Sequence, residues 1–316
     1  MIDHSLRNAL TPATIELIAA VDRTGSMAAA ARELGVVPSA LTYRIRQVED
    51  ALDVLLFDRS SRQARLTEAG KELLHEGSRL LIELDAIANR VKRVATGWEP
   101  QLTLAVDSVI SRTTVMELCE TFFALEPPTR LKIREEALMG TLEALTSGQA
   151  DLAIGVVLDS ALGKSIYSSK PLGNIQFVYA VAPHHPLAQA PQPVTDEMML
   201  QHRAVAVADS VQRGSGLTVG LLGGQNVFTV PGMMAKLDAQ LRGLGAGFLP
   251  EYLARPYVGT GRLVVRTVAK QPLPLKVSYA WRSDPGSKPG RALEWWLAQL
   301  DQPLTRNALL ESQQKQ

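Results

Sequence analysis

The stretch SMAAAARELGVVPSALTYRIRQVEDALD, residues 26–53 of a 316-residue chain, holds two helix-like runs separated only by Gly35, Val36 and Val37. Ser26 suits the cap of a helix running through Leu34, because its hydroxyl can accept from a free backbone amide of the first turn. Pro38 suits the first turn of the next helix, where a missing N–H costs nothing. There Leu41, Ile45, Val48 and Leu52 recur at steps of four, three and four, which gives one apolar face. Upstream, Pro12 opens a helix with Ile15, Leu17, Ile18 and Val21 on its inner side, and Gly25 is available to stop it. Three short helices with a shared apolar side make a small bundle.

Where two helices cross closely, small side chains must sit between them. Ala30, Ala31 and Gly35 supply these, while Leu34, Val36, Leu41 and Ile45 supply the buried contacts of a helix-turn-helix. The other face of the second helix carries Ser39, Thr42, Tyr43 and Arg46, polar groups able to reach base edges in a major groove, with Pro38 at its start. Arg44, Arg59, Arg62 and Arg65 can meet phosphates, as can Ser26 with the helix N-terminus behind it. The plainer alternative is a helical hairpin with a solvated face. Charge does not decide between them: the chain's net charge is +1, and Glu49, Asp50, Asp53 and Asp58 nearly cancel the local arginines.

Residues 55–67, LLFDRSSRQARLT, break the helical period around a polar turn and predict a short hairpin, or wing. From residue 68 to about 95 the pattern predicts one helix, roughly 40 Å long at 1.5 Å per residue. Leu73, Gly77, Leu80, Leu84, Ile87, Val91 and Val94 alternate at four and three residues along it, which is a coiled-coil seam. The dimerisation residues expected from that seam are Leu73, Leu80, Leu84, Ile87 and Val91. A dimer favours the DNA reading, because two reading helices related by a twofold axis match a palindromic site.

Beyond a hinge at 96–101, strands are expected at 102–106, 131–135, 151–157, 175–181, 204–208, 226–230, 263–265 and 276–281. Amphipathic helices at 114–125, 139–147, 232–244 and 288–300 fill intervals between them, so the expectation is α/β with a largely parallel sheet. Apolar residues at 46% and charged residues at 21% exclude a disordered chain and a fibre. A single cysteine, Cys119, excludes an intrachain disulfide. His184 and His185 are adjacent and lack a cluster at ligand spacing, so no metal and no cofactor are expected. Ser215 lacks the glycine frame of a nucleophile elbow, and GLGAGFLP (243–250) follows a helix into a strand, the reverse of a dinucleotide fingerprint. With no long apolar run and no basic leader, a cytoplasmic protein that is not an enzyme is expected.

The run AAARELGVVPSALTYRIRQVEDALDVLLFDRSSRQARLTEAG resembles the winged helix-turn-helix of LysR-type transcriptional regulators. It carries the family's paired alanines (Ala30, Ala31), its Leu34 and Val36, the recognition-helix start at 40–42, the late Ile45 to Glu49, the LFxR strand at 56–59 and the LTEAG exit at 66–70. It departs where the family places Ser or Thr followed by Gln, since Val37 and Pro38 stand there. The segments SGQADLAIG, HPLA and GLGAGFLP resemble landmarks of the family's effector domain, which is like a periplasmic binding protein with two α/β lobes, two crossing strands and a cleft.

The resemblance implies a winged helix-turn-helix over 1–67, a linker and dimerisation helix over 68–96, an effector domain over 97–301 and a polar tail over 302–316. Lobe I spans about 100–172 and 272–301, lobe II about 173–271, with crossings near 170–176 and 268–277. Effector contacts carry over to Asp107, Ser108, Val109, Leu138, Met139, Val207, Asp209 and Met233, with Phe248 closing the floor. The methionines and leucine suggest an aromatic effector. Implied partners are double-stranded promoter DNA, a small-molecule effector, a homodimer assembling to a homotetramer, and RNA polymerase. Two readings compete: an architectural DNA binder without ligand, and an enzyme on the two-lobed scaffold, for which the loops offer mainly Asp107 and Asp209.

Overall fold

The computed structural model describes residues 8–58, 64–158, 167–211, 220–283 and 288–310. The chain divides into two compact units, 1–88 and 89–316. Among the described residues no helix is long and apolar enough to cross a membrane.

In the first unit, helix α1 (Pro12–Thr24) is capped reciprocally by Thr11 and Thr14. Helix α2 (Met27–Glu33) is capped by Ser26, whose hydroxyl accepts from the Ala29 amide at 3.4 Å. Helix α3 (Pro38–Leu52) begins without a side-chain cap at Val37, so Pro38 in the first turn carries its start. Ala30 and Ala31 are fully buried against Ile18, Val21, Leu41, Ile45 and Val48. Leu34, expected inside, is 38% exposed because it sits at the C-cap of α2, and the half-buried Val36 packs on the core instead.

Strands β1 (Phe57–Asp58) and β2 (Arg65–Leu66) pair antiparallel as the expected wing. Two ties hold it to the helices. The Ala64 amide donates to the Gly25 carbonyl at 3.0 Å, and Glu49 Oε1 accepts from the Leu56 and Phe57 amides at 2.8 and 3.4 Å. Glu49 is buried, so it leaves the surface charge balance in which the sequence reading counted it.

Helix α4 (Glu68–Thr96) starts on this core. Leu73 and Leu74 pack against it, and Gly77 lies where α4 meets α1: a Cβ there would stand 2.7 Å from Ile15 Cγ2. Leu73 and Gly77, assigned from the period to a dimer seam, therefore serve the winged domain. What remains of the stripe, Leu80, Leu84, Ile87, Val91 and Val94, is between 40% and 87% exposed.

The second unit holds two sheets. Lobe I is a five-stranded sheet of order β4-β3-β5-β12-β6, built from β3 (Gln101–Asp107), β4 (Arg130–Glu136), β5 (Leu152–Val156), β6 (Tyr167–Ile175) and β12 (Leu275–Arg282). Helices α5 (Arg112–Phe123), α6 (Met139–Thr146), α10 (Arg291–Asp301) and α11 (Pro303–Leu309) complete this part of the chain. Lobe II contains β10-β7-β11, from β7 (Phe177–Val181), β10 (Gly247–Pro250) and β11 (Val264–Arg266). A parallel bridge between Ala204 and Ala246 links these to β8 (Ala204–Val207) and β9 (Val227–Val230). Helices α7 (Asp196–Leu200), α8 (Met233–Leu241) and α9 (Glu251–Gly259) belong to lobe II.

The sheets are mixed rather than largely parallel. β3 pairs parallel with β4 and β5, but β12 runs antiparallel to β5 and β6, and β7 runs antiparallel to both its neighbours. The segment read as one strand over 175–181 is two strands that break at Gln176, one in each lobe. β6, with the polar sequence YSSKPLGNI, was not legible as a strand; it lies at a sheet edge, where Pro171 is tolerated. The tail expected from 302 is replaced by α11, and Leu309 and Leu310 are buried. The Ser111 amide donates to the Leu309 carbonyl at 2.8 Å, which fastens α11 beside the start of α5.

One apolar cluster runs through both lobes, from Leu104, Phe122 and Trp296 to Ala180, Leu237 and Leu249. Cys119 is a buried free thiol within it. The glycine-rich turn forms as expected: Gly243 has φ +71° just after α8, and a Cβ on Gly245 would lie 2.7 Å from the Arg203 carbonyl oxygen.

Candidate nucleic-acid interface and interlobe cleft

On α3 the period that buries Leu41, Ile45 and Val48 turns the alternate positions outward. Pro38, Ser39, Tyr43, Arg44 and Arg46 are exposed, with Tyr43 at 62%, and Thr42 is half-buried. The Thr42 hydroxyl donates to the Pro38 carbonyl at 2.9 Å. The Tyr43 hydroxyl accepts from Gln47 Nε2 at 3.1 Å. A concavity of about 490 Å³ brings Ser26, Thr42, Arg46 and Asp58 to one surface between α2, α3 and the wing. Arg65 is exposed on β2; Arg59 and Arg62 lie outside the described residues.

The loops expected to line the cleft are engaged with one another. Asp107 is 4% exposed, and its carboxylate accepts from the Val109 amide at 3.0 Å, the Leu138 amide at 2.9 Å and the Thr141 hydroxyl at 3.0 Å. Burial pushes its pKa up to about 7 despite those three donors, and Asp209 nearby adds to the rise. Leu138 is held at φ +55°, ψ −122°, a first turn position that glycine normally takes.

From lobe II, Asp209 Oδ1 accepts from the Gly140 amide at 3.2 Å. Ser210 Oγ donates to Glu136 Oε2 at 2.7 Å and accepts from the Ala137 amide at 2.9 Å. The other carboxylate oxygen of Glu136 is paired with Arg134 at 2.8 Å. Gly140 permits this latch, since a Cβ there would stand 1.9 Å from Ser210 Oγ.

Asp107 and Asp209 thus hold protein amides, while Met233 is buried in the core and Val207 packs against it. Phe248 is not brought to the cleft loops; it packs edge-to-face on Tyr179 at 5.2 Å, against the separate apolar cluster of Val181, Leu187 and Met199. Ser108, half-buried, does face open space, whereas Val109 is buried beside it. A groove of about 950 Å³ runs past Ser108, Arg112, Met116, Glu135, Met234 and Tyr252, and the Tyr252 hydroxyl crosses between lobes to the Val109 carbonyl at 2.9 Å. Sequence reasoning missed Arg112, Glu136, Gly140, Ser210 and Tyr252. Only the ADS segment after β8 gave any sign, as polar residues closing a strand.

Comparison with known proteins agrees with this architecture. Residues 13–71 match the model for bacterial regulatory helix-turn-helix proteins of the lysR family, and residues 95–304 match the LysR substrate binding domain. The chain is 36% identical over 92% of its length to the probable HTH-type transcriptional regulator YhaJ of Escherichia coli K12, covering 96% of that protein. It is 34% identical to the HTH-type transcriptional regulator YeeY of the same organism, over 89% of each chain. Among solved structures, full-length AphB, a virulence activator of Vibrio cholerae, superposes with a TM-score of 0.54 at 18% identity, over 91% of this chain and 99% of that one. A full-length OxyR variant of Pseudomonas aeruginosa gives 0.53 at 20% identity, over 97% and 98%. The chain belongs to the LysR family: it is a DNA-binding transcriptional regulator with an effector-binding domain.

Proposed function

We propose that the regulator binds promoter DNA as a homodimer, two dimers forming a tetramer, with one α3 in each major groove of a palindromic site. The observation that carries this is the face of α3, where Ser39, Tyr43, Arg44 and Arg46 stand outward over a buried side. Arg46 reads a base edge, the Thr42 methyl group meets a thymine methyl, and Pro38 shapes the entry of the helix. Ser26, Arg44 and Arg65 meet phosphates, as do Arg59 and Arg62 of the wing. Pairing rests on the exposed stripe Leu80, Leu84, Ile87 and Val91.

A small molecule seated in the interlobe groove then biases the lobes. Met116, Met234 and Tyr252 fit an aromatic ring, and Ser108 and Arg112 fit its carboxylate. Because the latch from Asp209 and Ser210 closes the neighbouring loops, an effector that prefers one lobe arrangement acts by holding or releasing it. The regulator works in the cytoplasm, with RNA polymerase as a partner of its DNA-bound form.

Fluorescence anisotropy with the promoter upstream of the regulator's own gene tests the DNA half. A preference of at least about a hundredfold over random duplex, weakening steeply with salt, is expected; equal binding to both sinks it. Melting temperatures in a series of aromatic acids test the ligand half, and no rise with any of them would favour a DNA binder that oligomerises without an effector.

A further inference from the structure

The HPLA run lies just after β7, where His185 opens a short 3-10 turn, Pro186–Ala188. His185 is 6% exposed, and its Nδ1 caps that turn by accepting from the Leu187 amide at 3.2 Å. A ring nitrogen accepts only while it carries no proton, so the cap requires a neutral imidazole. The ring also meets that of the half-buried His202 edge-to-face, with centroids 5.1 Å apart. The elements packed around the turn bring further cations: Arg266 on β11, Arg242 at the end of α8, whose carbonyl lies 3.4 Å from His184 Nε2, and Arg203 beside His202 in the chain. The acids of α7 are engaged elsewhere, Asp196 with Lys270 and Glu197 with the Thr195 hydroxyl. Burial first, then the neighbouring charges of His202 and His184, lower the His185 pKa from its ordinary 6.5.

The turn holds one end of the path back to lobe I. Just beyond it, the Ala190 carbonyl accepts from Arg266 Nη2. The Val194 amide then donates to the Thr267 carbonyl at 2.8 Å, and the Val194 carbonyl accepts from the Ala269 amide at 2.9 Å. From there the chain runs on to β12 of lobe I. We propose that His185 is a proton-operated clasp of lobe II: neutral, it holds 186–194 against 266–269, and protonated, it lets them part. A proton on Nδ1 turns a donor toward the Leu187 amide and places a cation among imidazoles and guanidinium groups. The clasp is fully closed above about pH 6.5 and weakens as pH falls below that value, because the folded chain then binds the proton less readily than the unfolded one. Its regulatory weight rests on the proposed coupling between lobe arrangement and DNA binding, which it makes sensitive to acid.

Amide hydrogen exchange of the full-length chain, without DNA or effector, tests the clasp apart from that coupling. Protection, corrected for the intrinsic pH dependence of exchange, is compared at about pH 7.5 and about pH 5.5. In wild type, protection over 186–194 and 266–269 should fall at least about tenfold in acid, while that of α1 to α3 stays unchanged. His185→Asn keeps a side-chain oxygen that accepts from the Leu187 amide and takes up no proton, so its protection should match wild type at the higher pH and stay there in acid. His202→Gln removes one neighbouring charge and should shrink the loss. The proposal is overturned by no loss in wild type, by an equal loss across the winged domain, or by a loss that persists in His185→Asn. Should that variant lack protection at both pH values, His202→Gln decides, and an undiminished loss there overturns the proposal.

Discussion

In α3, Ser39, Tyr43, Arg44 and Arg46 turn outward from a buried face, whereas the loops at 107–109, 136–140 and 209–211 spend their polar groups on one another. The first arrangement comes from a single helix, in which 3.6 residues per turn fixes the direction of each side chain. The second is made by bonds such as Gly140 to Asp209 and Ala137 to Ser210, between residues 69 and 73 positions apart. A surface offered to a large outside partner can be finished locally. Contacts made between residues of two lobes need both lobes at once.

The largest expected effect tests whether the DNA-facing region depends on pairing. Leu84→Asp with Ile87→Asp places like charges in the exposed stripe and should leave monomers in sedimentation velocity, with promoter affinity down at least about a thousandfold. Unchanged affinity would mean that a single α3 suffices.

The next effect belongs to the cleft. Burial holds the Asp107 pKa at about 7 against an ordinary 3.8, so this group favours the folded state below about pH 4 and that contribution is lost as pH rises to about 7. The loss is no more than about 4 kcal/mol. Urea denaturation between pH 4.5 and 8 should show a falling slope in wild type and a flatter one in Asp107→Asn. Equal slopes would mean that Asp107 is ionised throughout.

For Arg46→Ala, a loss of about 1–3 kcal/mol with relaxed preference at one base pair is expected from competition binding. A uniform loss across sequences would make it a phosphate contact. Leu138→Gly should raise stability by about 1 kcal/mol in chemical denaturation, because φ +55° is easy for glycine. The smallest energetic change is expected from Pro38→Gln, within about 0.5 kcal/mol in stability and with dimerisation intact, but with a shifted operator preference. An unshifted preference would move the reading surface away from the start of α3.

The contrast explains what could be read beforehand. The three helices, the wing and the absent side-chain cap at Val37 follow from periodicity and capping chemistry, and each was legible. The core packing of Leu73 and Gly77 was not legible because a seam period and a core-packing period coincide there; Ile15, against which Gly77 lies, is sixty-two residues away. β6 was invisible because an edge strand needs little apolar alternation, and α11 because it buries only Leu309 beside Thr305, Arg306 and Asn307. In the cleft, Asp107 and Asp209 were found as residues but not as acceptors for Leu138 and Gly140, since no local pattern encodes a bond across lobes.

The return of β12, α10 and α11 to lobe I also sets an order in time. The winged domain is complete early in synthesis, from a continuous stretch of chain. Lobe I is not: β6 must wait for its partner β12, and the start of α5 for the Leu309 carbonyl, more than a hundred residues further on. At about 5–20 residues per second, a ribosome leaves that sheet unfinished for roughly ten seconds after β6 emerges. During that interval the nascent chain already has its DNA-reading surface while the domain meant to govern it is still open.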